Sequence, residues 1–80
     1  MALTLVFLGR LQQAAGAAER AVEAVPSLAA LFDTLDPALA AVLGGDKVKI
    51  AINGEIVADR DACVLNDGDE IAFLPPVSGG

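Results

Sequence analysis

Apolar residues near both ends of the chain recur at every second position, which is the period of a β-strand. The opening segment places three residues on the inferred core side, namely Leu3, Leu5 and Phe7. Residues 70–74 repeat the pattern and point Ile71 and Phe73 toward the core. We therefore expect the first and last strands to supply the centre of the hydrophobic core.

The period changes to that of an amphipathic α-helix after Ser27, a residue type that favours the N-cap position. The predicted apolar stripe recurs three and four residues apart and consists of Leu28, Leu31, Phe32 and Leu35. Phe32 is expected to be the central side chain between this helix and the sheet.

A second, short helix is predicted where Asp36 and Pro37 supply a cap and a first helical residue. Gly44 and Gly45 should end it, because glycine is favoured just after a helix. The core residues expected from this helix are Leu39, Val42 and Leu43.

Turn signals divide the rest of the chain into further strands. Asn53-Gly54 is a strong hairpin signal between residues 48–53 and a return strand at residues 55–58. The sequence NDGD at residues 66–69 predicts a turn before the last strand. Residues 19–25 alternate less regularly and are predicted to form an edge strand.

This element order predicts an α+β fold. An opening hairpin, one main helix, a second short helix and three more strands suit the ubiquitin-like β-grasp, with a mixed five-stranded sheet. Its first and last strands would lie parallel at the centre. With 80 residues there is room for one core, so we predict a β-grasp domain at residues 1–74 and an extended, flexible tail at residues 75–80.

Charge and hydropathy exclude several classes of partner. The net charge is −6, and the five basic residues are spread along the sequence: Arg10, Arg20, Lys47, Lys49 and Arg60. Nucleic acid and anionic membranes prefer a concentrated positive surface, so a protein with a basic docking face is the expected partner. The chain has no recognisable secretion signal and no apolar stretch near the roughly 20 residues of a membrane span, which predicts a cytoplasmic location.

The side chains available for catalysis are few. The chain contains no histidine and a single cysteine, Cys63, so it can form neither a Cys-His pair nor a zinc site of its own. Cys63 is expected to act as a half-buried small hydrophobe. We expect the acidic run Asp67, Asp69 and Glu70 to serve turn formation and solvation, and we predict no metal site.

Three stretches carry a resemblance to a known family. They are Phe7-Leu8 at the end of the first strand, VKIAINGE at residues 48–55, and DGDEIAFLPPVSGG at residues 67–80. Together they resemble the MoaD family of ubiquitin-like sulfur carriers, the small subunits of molybdopterin synthase in the MoaD/ThiS superfamily. The chain departs from many members after the first strand, where Leu11, Gln12 and Gln13 replace a basic residue followed by glutamate.

The resemblance implies that the reactive group is the C-terminal carboxyl of Gly80. An E1-like adenylyltransferase (MoeB-like) would use ATP to form an acyl-adenylate, and a sulfur-relay enzyme would convert it to a thiocarboxylate. The tail would enter a large subunit (MoaE-like) of a heterotetrameric molybdopterin synthase and donate sulfur for the molybdopterin dithiolene. This sulfurtransferase subunit would bind no cofactor and have no catalytic side chain of its own.

The composition of the tail suits such a delivery. Pro75 and Pro76 favour an extended spacer, and Gly79 and Gly80 have no Cβ to obstruct a narrow channel. The remaining tail residues expected to contact the partner are Val77, as an apolar anchor, and Ser78.

The strand period also predicts where the domain docks. If Phe7 and Phe73 face the core, then Leu8 and Leu74 face outward at the base of the tail. We expect these two leucines to form an apolar docking patch, since an apolar centre with a polar rim is a common interface layout.

Three alternatives remain for the function. A sulfur carrier of thiamine or cysteine biosynthesis (ThiS-like) would have the same fold, although the double proline favours the molybdopterin class. A ubiquitin-like protein modifier would use Gly80 to form an amide with a lysine. An interaction domain with an inert terminus is the plainest alternative.

Overall fold

The computed structural model describes residues 2–45, 47–60 and 62–76, which form one mixed sheet and three helices. The elements in chain order are β1 Ala2–Phe7, α1 Leu11–Ala15, β2 Glu19–Glu23, α2 Leu28–Thr34, α3 Pro37–Leu43, β3 Lys49–Ile52, β4 Glu55–Ile56 and β5 Glu70–Leu74. The strand order is β2-β1-β5-β3-β4. β1 and β5 are parallel, whereas the other neighbouring strands are antiparallel. The β-grasp arrangement predicted from the sequence is confirmed.

The core lies between the helices and one face of this sheet. The five residues predicted to face inward from the first and last strands are all fully buried: Leu3, Leu5, Phe7, Ile71 and Phe73. Phe7 and Phe73 are register partners on the parallel strands, and their rings stack with centroids 5.6 Å apart. The parallel pairing thus aligns two aromatic side chains at the centre of the core.

Both predicted helix caps are present. The Ser27 hydroxyl accepts a hydrogen bond from the Ala30 amide at 3.1 Å, and the Asp36 carboxylate accepts one from the Ala38 amide at 3.1 Å. Pro37 occupies the first turn of α3, where its missing N–H costs no hydrogen bond. α2 and α3 have seven residues each, so they are equal in length rather than one main and one minor helix.

Four local expectations were wrong. Phe32 is half-buried with an edge contact to Phe73, because α2 directs Leu28 and Leu31 most deeply into the core. Val42 is 43% exposed, since α3 turns its Leu39 and Leu43 inward on the four-residue helical repeat. Two strands end two residues earlier than expected, β2 at Glu23 and β4 at Ile56.

The two predicted turns are confirmed and linked to each other. Asn53 and Gly54 both have positive φ, 52° and 89°, which is the requirement of a type I′ hairpin. The Asp69 carboxylate accepts hydrogen bonds from the Asn66 amide and from the Asn53 side-chain nitrogen, each at 2.9 Å. The Glu70 amide donates to the Asn53 side-chain oxygen at 3.0 Å. These bonds connect the β3–β4 hairpin to the turn before β5.

Candidate functional site

The candidate site is the place where the central strand β5 ends and the tail begins. β5 lies between β1 and β3, ends at Leu74, and continues into the half-buried Pro75 and Pro76. The tail residues Val77, Ser78, Gly79 and Gly80 lie outside the described residues, so their predicted roles stay predictions.

The start of the tail rests against the end of β1. The Leu8 amide donates a hydrogen bond to the Phe73 carbonyl at 3.1 Å, which extends the parallel pairing by one residue. Gly9 follows with a φ of 55°, and a Cβ at this position would lie 3.0 Å from Cγ of Pro75. The proline ring therefore packs directly on the glycine backbone, and this contact helps to fix the direction in which the chain leaves the sheet.

Leu8 and Leu74 lie where the strand period predicts. Phe7 and Phe73 are register partners that face the core, so the residue after each one faces the opposite side of the sheet. Leu8 is 38% exposed and Leu74 is half-buried. The structure thus brings the two leucines together at the base of the tail, and their role in binding a partner stays a prediction.

A wider apolar surface continues from these leucines, and sequence reasoning missed it. Successive register pairs align four residues across the outer face of the sheet, Val6, Ala72, Ala51 and Ile56. We call these four residues the outer stripe. Ile56 is 57% exposed, whereas Ala51 is buried between its neighbours. The signal in the sequence was the apolar character of Val6 and Ala72 at positions that a solvated face would give to polar residues.

The strongest potential nucleophile among the described side chains is the Cys63 thiol. Cys63 is half-buried and packs against the core. Burial, and secondly the negative charge of Asp69, raise the pKa of the Cys63 thiol above its ordinary value. A raised pKa lowers the thiolate fraction and hence the reactivity. The described residues contain no three or more acidic or cysteine side chains placed so that they could hold a metal ion together, and no helix able to cross a membrane.

Comparisons with known proteins identify the family. Residues 5–80 match the model of the ThiS family. The chain belongs to the ThiS family. This membership confirms the resemblance to the MoaD/ThiS superfamily. Among curated proteins, this ThiS-family chain is 32% identical to the molybdopterin synthase sulfur carrier subunit of Chlamydomonas reinhardtii over 85 residues, with all of both chains covered.

The similar solved structures include SAMP1 proteins and subunits of the molybdopterin-converting factor. SAMP1 from Haloferax volcanii is 29% identical to this ThiS-family chain with a TM-score of 0.74, and all of both chains is covered. A complex of subunits 1 and 2 of the molybdopterin-converting factor from Helicobacter pylori contains a chain that is 28% identical with a TM-score of 0.67, again with full coverage of both chains. Both neighbours agree with the β-grasp fold of this ThiS-family member.

Proposed function

We propose that this protein is a sulfur carrier and the small subunit of a molybdopterin synthase, with the C-terminal carboxyl of Gly80 as the group that carries sulfur. The observation that supports this most directly is the position of the tail. It begins at the end of the central strand, next to a partly exposed apolar surface. The names of the Chlamydomonas relative and of the Helicobacter complex support the same role.

The chemistry that we propose needs no side chain from this domain. A carboxylate is a poor electrophile, so an E1-like enzyme first joins the Gly80 carboxylate to AMP and releases pyrophosphate from ATP. A sulfur nucleophile at the oxidation level of sulfide, supplied by a relay enzyme, then displaces AMP and leaves a thiocarboxylate. Glycine suits both steps, because it has no Cβ to hinder attack at the terminal carbonyl.

Docking would place the outer stripe, Leu8 and Leu74 against the large subunit while the tail enters its active site. Full burial of a leucine side chain contributes about 1.5 to 3 kcal/mol. Pro75 and Pro76 restrict the unbound tail, and this lowers the conformational entropy lost when the tail is threaded. The domain would therefore supply affinity and the tail would supply the reactive group.

Intact mass spectrometry tests the proposal. The protein is incubated with an E1-like adenylating enzyme from the same organism, ATP and a sulfide donor, and tandem fragmentation locates any modification. We expect one exchange of oxygen for sulfur at Gly80, absent without ATP and absent when Gly80 is deleted. An unchanged mass in the complete reaction would contradict the proposal.

A protein modifier is the second candidate, and the similarity to SAMP1 is the observation that favours it. Adenylation would be shared, but the product would be an amide between Gly80 and a lysine of another protein. The same incubation with cell extract would then give covalent adducts. Copurification with the large subunit, without such adducts, supports molybdopterin synthesis over both the modifier and a ThiS-like carrier.

A further inference from the structure

The two ends of the sheet differ in charge, although the basic residues are spread along the sequence. We call the end from which the tail leaves the tail end, and the end with the residue 53–54 and 66–69 turns the turn end. Lys49 is the register partner of Leu74, Lys47 comes two residues earlier, and Arg10 directly follows Gly9, the glycine on which Pro75 packs. We call Arg10, Lys47 and Lys49 the basic collar.

Every charged side chain at the turn end is acidic among the described residues. Its charged members are Glu23, Glu55, Asp67, Asp69 and Glu70. Glu23 and Glu70 are partners of the first residues of β1, and Glu55 is the partner of Ile52. Among the described residues, the exposed basic side chains therefore surround the start of the tail, and the opposite end of the sheet is acidic.

The other two basic residues also lie toward the tail end, but their guanidinium groups have structural partners. Arg20 donates to the Ala15 carbonyl at 2.9 Å. Arg60 donates to the carbonyls of Gly44 and Gly45 at 3.3 and 3.4 Å and also to that of Val48. These arginines hold loops in place.

The collar side chains, unlike Arg20 and Arg60, do not hold a backbone segment in place by hydrogen bonds. Arg10, Lys47 and Lys49 are all exposed, and within the described residues their side chains make no hydrogen bond and no ion pair. Three of the described acidic residues lie toward this end. Glu19 belongs to the edge strand β2, Asp36 accepts a hydrogen bond from the Ala38 amide, and Asp59 accepts one from the Ala62 amide at 3.3 Å. The collar is therefore available to a partner.

We propose that the basic collar binds carboxylates around the channel of the large subunit that receives the tail. This inference rests on the proposed function, because it assumes that the tail enters that subunit. The net charge of −6 alone favours a partner with a basic docking face, as the sequence predicts, and repels an acidic surface in most orientations. The tail-first orientation is the exception, because it presents the positive charge of the collar. This distribution of charge therefore favours encounters in which the tail already points at the channel.

Association kinetics with the large subunit from the same organism test this inference. The collar variant carries Arg10→Gln and Lys49→Gln. The control variant carries Ala29→Glu and Val64→Glu at two exposed positions away from the tail, which gives the same net charge without touching the collar. Rates are measured at low and at physiological ionic strength, and thermal unfolding verifies that both variants are folded.

We expect the collar variant to associate about tenfold more slowly than the wild type at low ionic strength, and the difference to shrink as salt screens the charges. The control should change by less than about twofold, because its added charge lies away from the contact. Equal slowing of both variants, or faster association of the collar variant, would overturn the inference alone. A wild-type protein that does not bind the large subunit would overturn the proposed function, and the inference with it.

Discussion

The turn end and the tail end of the sheet use polar residues in opposite ways. At the turn end, the side chains of Asn53, Asp67 and Asp69 are joined to backbone groups of three different segments. At the tail end, the collar side chains are exposed, and Leu8 and Leu74 beside them keep part of their apolar surface accessible to solvent. One end therefore connects strands that are distant in sequence, and the other is free to contact a second protein. Substitutions at the two ends should consequently affect different measurements.

The largest expected effect is on partner binding, from Leu74→Asp at the tail end. An aspartate would put a charge into the apolar contact and remove about 1.5 to 3 kcal/mol of burial, so affinity for the large subunit should fall about tenfold to a hundredfold. Titration calorimetry measures the affinity, and circular dichroism follows the fold.

Val64→Asp is the matched control, because Val64 is an apolar side chain that is 70% exposed and lies away from the tail. It should leave binding unchanged. Equal losses of affinity in both variants would contradict the docking surface, and unfolding of Leu74→Asp would mean that Leu74 supports the core instead.

The second-largest expected effect is a loss of thermal stability caused by Asp69→Ala at the turn end. The alanine leaves the Asn66 amide and the Asn53 side-chain nitrogen without their acceptor, and hydrogen bonds to charged acceptors are stronger than average. We expect a lower Tm with unchanged affinity for the large subunit. Asp69→Asn keeps one acceptor oxygen, so its Tm should lie between those of the wild type and Asp69→Ala. A wild-type Tm for Asp69→Ala would mean that these hydrogen bonds do not stabilise the fold.

The stabilisation that Asp69 gives to the turn end should depend on pH. The hydrogen bond from the Asn66 amide, and then that from the Asn53 side chain, lower the pKa of Asp69 below its ordinary value. A group with a lowered pKa in the folded state stabilises the protein above the unfolded-state pKa, about 3.9 for aspartate, and loses this contribution as the pH falls through the folded-state pKa. The difference in Tm between wild type and Asp69→Ala should therefore be constant near neutral pH and shrink below about pH 4. A difference that does not depend on pH would contradict this origin.

The fold was predictable because its signals are local and agree with one another. The alternation of Leu3, Leu5 and Phe7, the Ser27 cap and the Asn53-Gly54 turn each specify one element, and their order specifies the β-grasp. The errors arose where packing decides between local options. Val42 fits the apolar stripe of a helix, yet only the angle at which α3 meets the core determines that Leu39 and Leu43 are buried instead.

The candidate site was only partly predictable for a related reason. Leu8 and Leu74 follow from the phase of two strands, which the sequence contains. The outer stripe depends on cross-strand register between β1, β5, β3 and β4. The basic collar joins a residue after the end of β1 to residues at and just before the start of β3. The linear spacing of Arg10 and Lys49 carries no trace of their common position around the tail.

The smallest expected effect concerns Cys63, the one side chain that could offer a competing sulfur chemistry. Burial raises the pKa of its thiol, and the side chain packs against the core, so Cys63→Ala should leave sulfur loading at Gly80 unchanged. The loss of the sulfur atom from a half-buried position should lower the Tm only slightly, since the cavity term is small where solvent has access. Intact mass spectrometry of the loaded variant measures the first expectation, and thermal unfolding measures the second. A variant that folds normally but accepts no sulfur would give Cys63 a role in the relay, and the C-terminal carboxyl would then not act alone.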